Sequence, residues 1–498
     1  MNKLILNADL EAGQISRHLY GHFAEHLGRC IYDGLWVGED SPIPNTRGFR
    51  NDVVAALKRL NMPNLRWPGG CFADTYHWMD GIGPRERRPR TINVHWGGCV
   101  ENNHCGTHEF LDLCAQLGCM PYICGNVGSG TVREMADWLE YLTADGDSAM
   151  AELRRRNGRQ EPWPITFWGV GNENWGCGGN MRPQYYADLY RQYASYCRHH
   201  SGGRLYKIAC GYEDDWNDLL LREAGRFMDG LSVHYYTVPG DWQHKGSATD
   251  FAEADWFITL HKAVGIDAFI RRTKAIMDRH DPAGRIGLIM DEWGNWFDVE
   301  PGTNPGFLYQ QNTLRDAVTA AVTFNIFHQH ADRLKMANIA QTVNVLQAMI
   351  LTEGSRMLLT PTYHVFGMFK VHQDATLLAT RVQCAPYADP AQRTSGKDKP
   401  LTLDQISASA SRDSRGTVHL SLCNLHHDAP AELVCDLRGI DVSRVSGRVL
   451  TGPRINGMNT FEQPEAVVPQ AFDDVRLGRG TLTVKLPARS VIVLALQA

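Results

Sequence analysis

Two glutamates carry the first chemical signal in this chain. Glu173 lies in Gly169-Val170-Gly171-Asn172-Glu173-Asn174-Trp175, and Glu292 in Ile289-Met290-Asp291-Glu292-Trp293-Gly294. An apolar run leads into each: Ile165-Thr166-Phe167-Trp168 before the first, Ile286-Gly287-Leu288 before the second. Short runs of this kind read as buried strands. A carboxylate at the end of a buried strand is costly unless it has a partner or a task. Taken singly, each glutamate reads equally well as a structural hydrogen-bond partner. Two such strand ends aimed at one pocket would supply a proton donor and an opposing carboxylate, which is what cleavage of a sugar acetal requires.

The elements that must position them alternate. Strand-like runs occur at 18–25, 64–67, 121–126, 165–173, 207–211, 231–236, 286–292 and 335–339. Helix-like runs follow, among them 52–60, 108–117, 132–142, 183–200, 255–280, 314–328 and 363–370. Tyr186, Tyr190, Tyr193 and Cys197 recur at three-to-four spacing, the mark of a buried helical face, and Pro183 fits a first helical turn. Eight strand–helix units describe a (β/α)8 TIM barrel. An open doubly wound sheet ranks second, because no GxGxxG opens a helix after the first strand. Beyond about Val371 the helical pattern stops. Leu482, Val484 and Leu486 then alternate with Thr481, Thr483 and Lys485, the period of a half-buried strand. The expected organisation is therefore a barrel over 15–371 and a C-terminal, jelly-roll-like β-sandwich over 372–498. The strand-like segment 1–14 is expected to join the sandwich.

Barrel enzymes gather their sites at the C-terminal ends of the strands. Those ends hold Glu25, Cys71, Asn126, Asn172, Glu173, Glu213, His234, Tyr236, Glu292 and Gln347. Carboxylates and amides suit a polyhydroxylated ligand. Glu173 is the candidate acid/base and Glu292 the candidate nucleophile. Asn172 is placed to bond a sugar hydroxyl, and the Tyr236 phenol to hold Glu292 ionised. Gly176, Gly178 and Gly179 read as a turn, since the GK[ST] ending of a phosphate loop is missing.

The bulk properties narrow the classes. At 498 residues the chain divides naturally into one large and one smaller domain. A net charge of −5 gives no electrostatic reason to expect nucleic acid or an anionic membrane. No apolar run reaches the length of about 18 residues needed to span a bilayer, and the start lacks a signal-peptide core. The expectation is a cytoplasmic protein. The 13 cysteines are scattered without a CxxC pair, so neither a disulfide framework nor a zinc knuckle is expected. His104, Cys105 and His108 lack a matching second cluster, so no metal is expected.

Several longer motifs resemble the α-L-arabinofuranosidases of glycoside hydrolase family 51. They are Leu19-Tyr20-Gly21-His22-Phe23-Ala24-Glu25-His26-Leu27-Gly28, Leu65-Arg66-Trp67-Pro68-Gly69-Gly70, Trp78-Met79-Asp80-Gly81-Ile82-Gly83-Pro84, the 168–175 and 291–293 segments, and Asn344-Val345-Leu346-Gln347. The resemblance runs nearly end to end. It implies a retaining, exo-acting hydrolase without a cofactor, working on arabinose-containing oligosaccharides, and a homo-oligomer. It also implies that Glu25, Cys71, Asn172, His234, Tyr236 and Gln347 line the arabinose pocket around Glu173 and Glu292. Many relatives have Asn where this chain has Cys71, and a thiol is the weaker hydrogen-bonding group. Two other functions compete: an endo-acting β-glucanase or xylanase on the same barrel, and a non-catalytic sugar-binding protein. Intact glutamates speak against the latter.

Overall fold

A computed structural model describes residues 2–396 and 398–497. Its first strand, β1 (Asn2–Gln14), stands outside the barrel. Eight strands then close a parallel barrel: β2 (Gly21–Phe23), β3 (Asn64–Trp67), β4 (Met120–Gly125), β5 (Phe167–Val170), β6 (Tyr206–Cys210), β7 (Gly230–Thr237), β8 (Gly287–Asn295) and β9 (Leu334–Ala340). They pair in sequence order, and β9 closes on β2 through Asn338 beside Gly21. Every residue of β8 is buried, as a strand covered on both faces demands. The eight-unit reading of the sequence thus matches a closed barrel, and the doubly wound alternative falls.

Helix boundaries show where local pattern yields to packing. The stretch read as one helix over 255–280 is two, Glu253–Val264 and Ile266–His280, meeting at Gly265. A Cβ at Gly265 would lie 2.8 Å from the Tyr235 hydroxyl and 2.9 Å from the Lys262 carbonyl, so the corner needs a residue without one. A helix at Asp214–Ala224, unmarked in the sequence reading, completes the unit after β6.

Nine later strands form the second layer. These are β10 (Thr376–Gln383), β11 (Ile406–Arg412), β12 (Val418–Asn424), β13 (Ala431–Arg438), β14 (Arg444–Leu450), β15 (Gln470–Phe472), β16 (Val475–Gly478), β17 (Thr481–Leu486) and β18 (Ser490–Gln497). With β1 they make one ten-stranded sheet, in the order β15-β14-β18-β12-β11-β10-β1-β13-β17-β16. β1 lies in its middle, antiparallel to β10 and parallel to β13. Leu4, Leu420, Leu433, Leu482 and Leu494 come from both halves of this sheet yet share one apolar cluster, so the sheet is folded over on itself.

One helix joins the two layers. Leu314–Gln329 is capped by Thr313 and buried almost all round, as expected of an apolar helix that contacts protein on every side. Ser421 donates to its Asn325 side chain at 2.8 Å, and its His328 bonds Ser409 at 2.9 Å and the Tyr20 hydroxyl at 2.8 Å.

Candidate active site

The two opening glutamates meet at one end of the barrel. Glu292 lies within the buried strand β8, and Glu173 sits in the turn that leaves β5. One carboxylate oxygen of each, together with a ring nitrogen of His234, fall within 4.8 Å of one another. His234 stands on the neighbouring strand β7. Its Nδ1 is 2.8 Å from Glu173 Oε1 and 3.5 Å from Glu292 Oε2.

Glu292 is fully enclosed by donors. Arg66 Nη1 donates to Oε1 at 2.7 Å, and the Tyr236 hydroxyl donates to Oε2 at 2.7 Å. Burial alone would raise this carboxyl. The charges of His234 and Arg66, with the hydrogen bonds from Tyr236 and Arg66, outweigh it and hold Glu292 below the usual carboxylate range. Burial, and then the charge on Glu292, push the Tyr236 phenol well above its ordinary value, so it stays a donor. Burial pulls the His234 imidazole down, but Glu292 and Glu173 reverse this and leave it raised.

Arg66 is the hub that sequence reading missed. Fully buried in β3, it also donates through Nη2 to Asn172 Oδ1 at 2.6 Å and lies 3.3 Å from Asp291. Its guanidinium sits 4.5 Å from the centre of the Phe23 ring. The signal was available: a lone cation inside a buried strand beside two buried carboxylates is the counter-charge they need. Asp291, next to the nucleophile candidate, is spent structurally, accepting from Tyr122 at 2.9 Å and Asn338 at 3.0 Å.

Glu25 and Asn172 add further polar groups beside the pair. Glu25 accepts from the Phe72 backbone N–H at 3.0 Å, Trp96 Nε1 at 2.8 Å and Gln341 Nε2 at 3.0 Å. Burial, aided by the charge on Glu292, pushes its carboxyl up to about 7. Trp96 arrives on a hairpin pairing Thr91–Ile92 with Val100–Glu101. The Nδ2 of Asn172 and the Oε1 of Gln341 are buried without a partner among the described residues, a donor and an acceptor left over for a ligand.

Two sequence expectations are corrected. Gln347 does not line this pocket. Its amide is fully buried behind β8, accepting from the Asn295 N–H at 2.8 Å and donating to the Asp316 carbonyl at 2.8 Å. Gln341, the first residue after β9, reaches Glu25 instead; counting from the strand end rather than matching the longer motif would have found it. Cys71 is not a free thiol either. It forms a disulfide with Cys177, 106 residues away in sequence. Local spacing could not show a bond between the loops after β3 and β5. The two sulfurs lie 3.9 and 3.4 Å from Glu173 Oε2 and, having no hydrogen, do not donate to it.

Other strand ends are not part of the cluster. Asn126 folds its own loop, accepting from Ser129 and Gly130 N–H at 2.9 Å each, and Glu213 is exposed at the start of a helix. Two groups have donor atoms close enough to share a cation: Cys71, Glu173 and Cys177, and Glu173, His234 and Glu292. In the first the sulfurs are bonded to each other. In the second, each ligating side chain already bonds a neighbour.

Aromatic side chains stand next to these groups in sequence and space. Trp175 stacks on Tyr212 with centroids 3.9 Å apart, and Trp296 packs edge-on against both Tyr236 at 4.9 Å and the exposed Trp242 at 5.5 Å.

Comparison with known proteins follows this geometry. A family model described as the α-L-arabinofuranosidase C-terminal domain matches residues 291–490, and one described as the α-L-arabinofuranosidase 1 domain matches residues 56–253. An intracellular exo-α-L-arabinofuranosidase of Bacteroides ovatus is 52% identical over 497 residues, covering 99% of this chain and 95% of that one. The crystal structure of the family 51 arabinofuranosidase from Xanthomonas axonopodis pv. citri superposes with a TM-score of 0.96 at 49% identity, covering 100% of each chain. The α-L-arabinofuranosidase of Thermotoga maritima, solved as an arabinose complex, gives a TM-score of 0.88 at 30% identity, again over 100% of both.

Proposed function

The chain belongs to the α-L-arabinofuranosidases of glycoside hydrolase family 51, and from that premise we propose that it removes terminal L-arabinofuranose from arabinan- and arabinoxylan-derived oligosaccharides with retention of configuration. The observation that carries the retaining reading is the carboxylate spacing, an oxygen of Glu173 within 4.8 Å of one of Glu292. Retaining pairs stand about 5–5.5 Å apart, whereas inverting pairs leave about 6.5–9.5 Å for a water.

In the first step a Glu292 oxygen attacks the anomeric carbon. The glycosidic C–O bond breaks, and Glu173 gives its proton to the departing oxygen. In the second, Glu173 takes a proton from water as the water oxygen bonds the same carbon and frees the Glu292 carboxylate. Arg66 and Tyr236 keep Glu292 ionised for attack. Glu25, Asn172 and Gln341 read the sugar hydroxyls, and Trp175, Tyr212 and Trp242 face the leaving group. The word "exo" in the Bacteroides relative's name supports action on terminal sugars. Its designation as intracellular supports a cytoplasmic location, alongside the lack of any helix long and apolar enough to cross a membrane among the described residues. The homo-oligomeric state rests on the family resemblance.

The test compares an aryl α-L-arabinofuranoside with the aryl xyloside and cellobioside. Turnover of the arabinoside alone is expected; no arabinoside turnover overturns the reading, and turnover of the cellobioside would favour the endo-acting alternative. Glu292→Ala abolishes turnover of all substrates. Glu173→Ala still forms the glycosyl-enzyme from substrates with good leaving groups and then stalls. Azide rescues it and gives the azide in the substrate's own α configuration. A β-azide from Glu173→Ala would exchange the two roles.

A further inference from the structure

We infer that Asp74 is a positioning residue for the acid/base: its carboxylate clamps three strand-end loops and fixes the turn that aims Glu173. This rests on the reading of Glu173 as the acid/base. Asp74 is only 2% exposed, and no cation is among the main influences on its carboxyl. Both oxygens are nonetheless fully used. Oδ1 accepts from the backbone N–H groups of Val127 and Gly128, each at 2.7 Å, in the loop after β4. Oδ2 accepts from the Asn172 backbone N–H at 2.8 Å and Asn174 Nδ2 at 3.2 Å, on either side of Glu173. Asp74 itself belongs to the loop after β3, so one side chain ties three consecutive loops.

The turn needs such a tie. Glu173 has φ +41°, left-handed backbone that a residue with a side chain adopts at a cost. Its carbonyl is held from one side by the N–H groups of Gly176 at 2.7 Å and Gly178 at 3.0 Å. Asp74 holds the N–H of Asn172, in the Gly171–Asn172 peptide, from the other. The loops also leave room for the carboxylate: a Cβ at Gly178 would lie 2.6 Å from Asp74 Oδ2, and one at Gly128 2.8 Å from Asp74 Cβ. A buried unpaired carboxylate is a poor choice for stability alone. Four converging N–H donors explain it, because an amide in its place would turn its own donor against one pair of them.

Asp74→Asn tests this through leaving-group dependence. First-turnover rates are measured on 2,4-dinitrophenyl and 4-methylphenyl α-L-arabinofuranosides, with the melting temperature recorded. General acid help is worth about 10²–10⁴, and misplacement by about 1 Å costs about 10². The expected result is a loss of about 100-fold with 4-methylphenyl and under about threefold with dinitrophenyl, which departs without a proton. Equal losses on both substrates, or no loss, overturn the inference. If Asp74→Asn does not fold, Asn174→Ser breaks the weaker arm of the clamp and gives the same selective pattern at smaller amplitude, or overturns the inference. Glu173→Ala runs in parallel. If it lacks the selective pattern, the acid/base reading itself has failed; if it shows the pattern and Asp74→Asn does not, only the positioning role has failed.

Discussion

Replacing Tyr236 with phenylalanine removes one oxygen from the site and leaves the ring against Trp296, 4.9 Å away between centroids. What is lost is a 2.7 Å hydrogen bond to Oε2 of a buried carboxylate. A hydrogen bond to a charged group contributes about 1.5–3 kcal/mol, and about 1.4 kcal/mol corresponds to one pH unit of titration. Glu292 keeps Arg66 on its other oxygen at 2.7 Å and His234 at 3.5 Å. The acid limb that follows its ionisation should therefore move up by about one to two pH units. Because the phenol's own desolvation disappears with the hydroxyl, the melting temperature should change little. The assay is the first-turnover release of dinitrophenolate from 2,4-dinitrophenyl α-L-arabinofuranoside across pH. That leaving group needs no proton, so the acid limb follows ionisation of the nucleophile. An upward move of the limb by one to two units is expected. An unmoved limb would mean that Tyr236 does not hold Glu292 ionised, and a moved limb accompanied by a large loss of melting temperature would point to unfolding instead.

Arg66→Lys keeps the charge but cannot reach Glu292, Asn172 and Asp291 together; first-turnover rates should fall about 10- to 100-fold, as an unpaired buried acceptor costs about 1–3 kcal/mol, and full activity would refute the hub role. Burial lowers the His328 imidazole to about 3, so the folded chain keeps it neutral while the unfolded chain protonates near pH 6.5. Its contribution to stability is complete above pH 6.5 and is lost as pH falls toward 3, so His328→Gln should flatten the dependence of denaturant-measured stability on pH by about 1.4 kcal/mol per unit between pH 6 and 4; parallel curves for variant and parent would refute it. Trp242→Ala removes an exposed ring from the proposed leaving-group side and should raise KM for arabino-oligosaccharides about 10-fold, or about 1.4 kcal/mol, while leaving the aryl arabinoside unchanged; equal effects on both would place Trp242 elsewhere.

The barrel was legible because its strands are short, apolar and regularly followed by helices, a pattern that depends on burial and not on partners. Glu173, Glu292, His234 and Tyr236 were legible for a related reason: each ends or interrupts an apolar run with a polar group. Arg66 was not, because its importance comes from which carboxylates the barrel closure brings to it. The bond between Cys71 and Cys177 is a property of two loops meeting, not of either loop. Gln341 and Gln347 were confused because the longer motif carried more family signal than the residue that simply follows β9. In the sandwich, the alternation of β17 was plain and the strand-like start of the chain was expected to join it, but its place at the centre of the sheet follows from pairing with two distant strands.

That central strand sets the timetable of biosynthesis. β1 leaves the ribosome well before its neighbours β10 and β13, which begin at Thr376 and Ala431. At roughly 5–20 residues per second, a strand carrying Leu4 and Leu6 on its core face waits on the order of twenty to eighty seconds for a partner. During that interval the barrel can be completed while an unpaired, apolar strand hangs from its start, open to pairing with a second nascent chain. β18, made after the other strands of this sheet, must also insert beside β12 before the sheet closes. β1 and β18 are thus committed to the same late event, and a fragment lacking either would lose the sandwich that the bridging helix Leu314–Gln329 packs against.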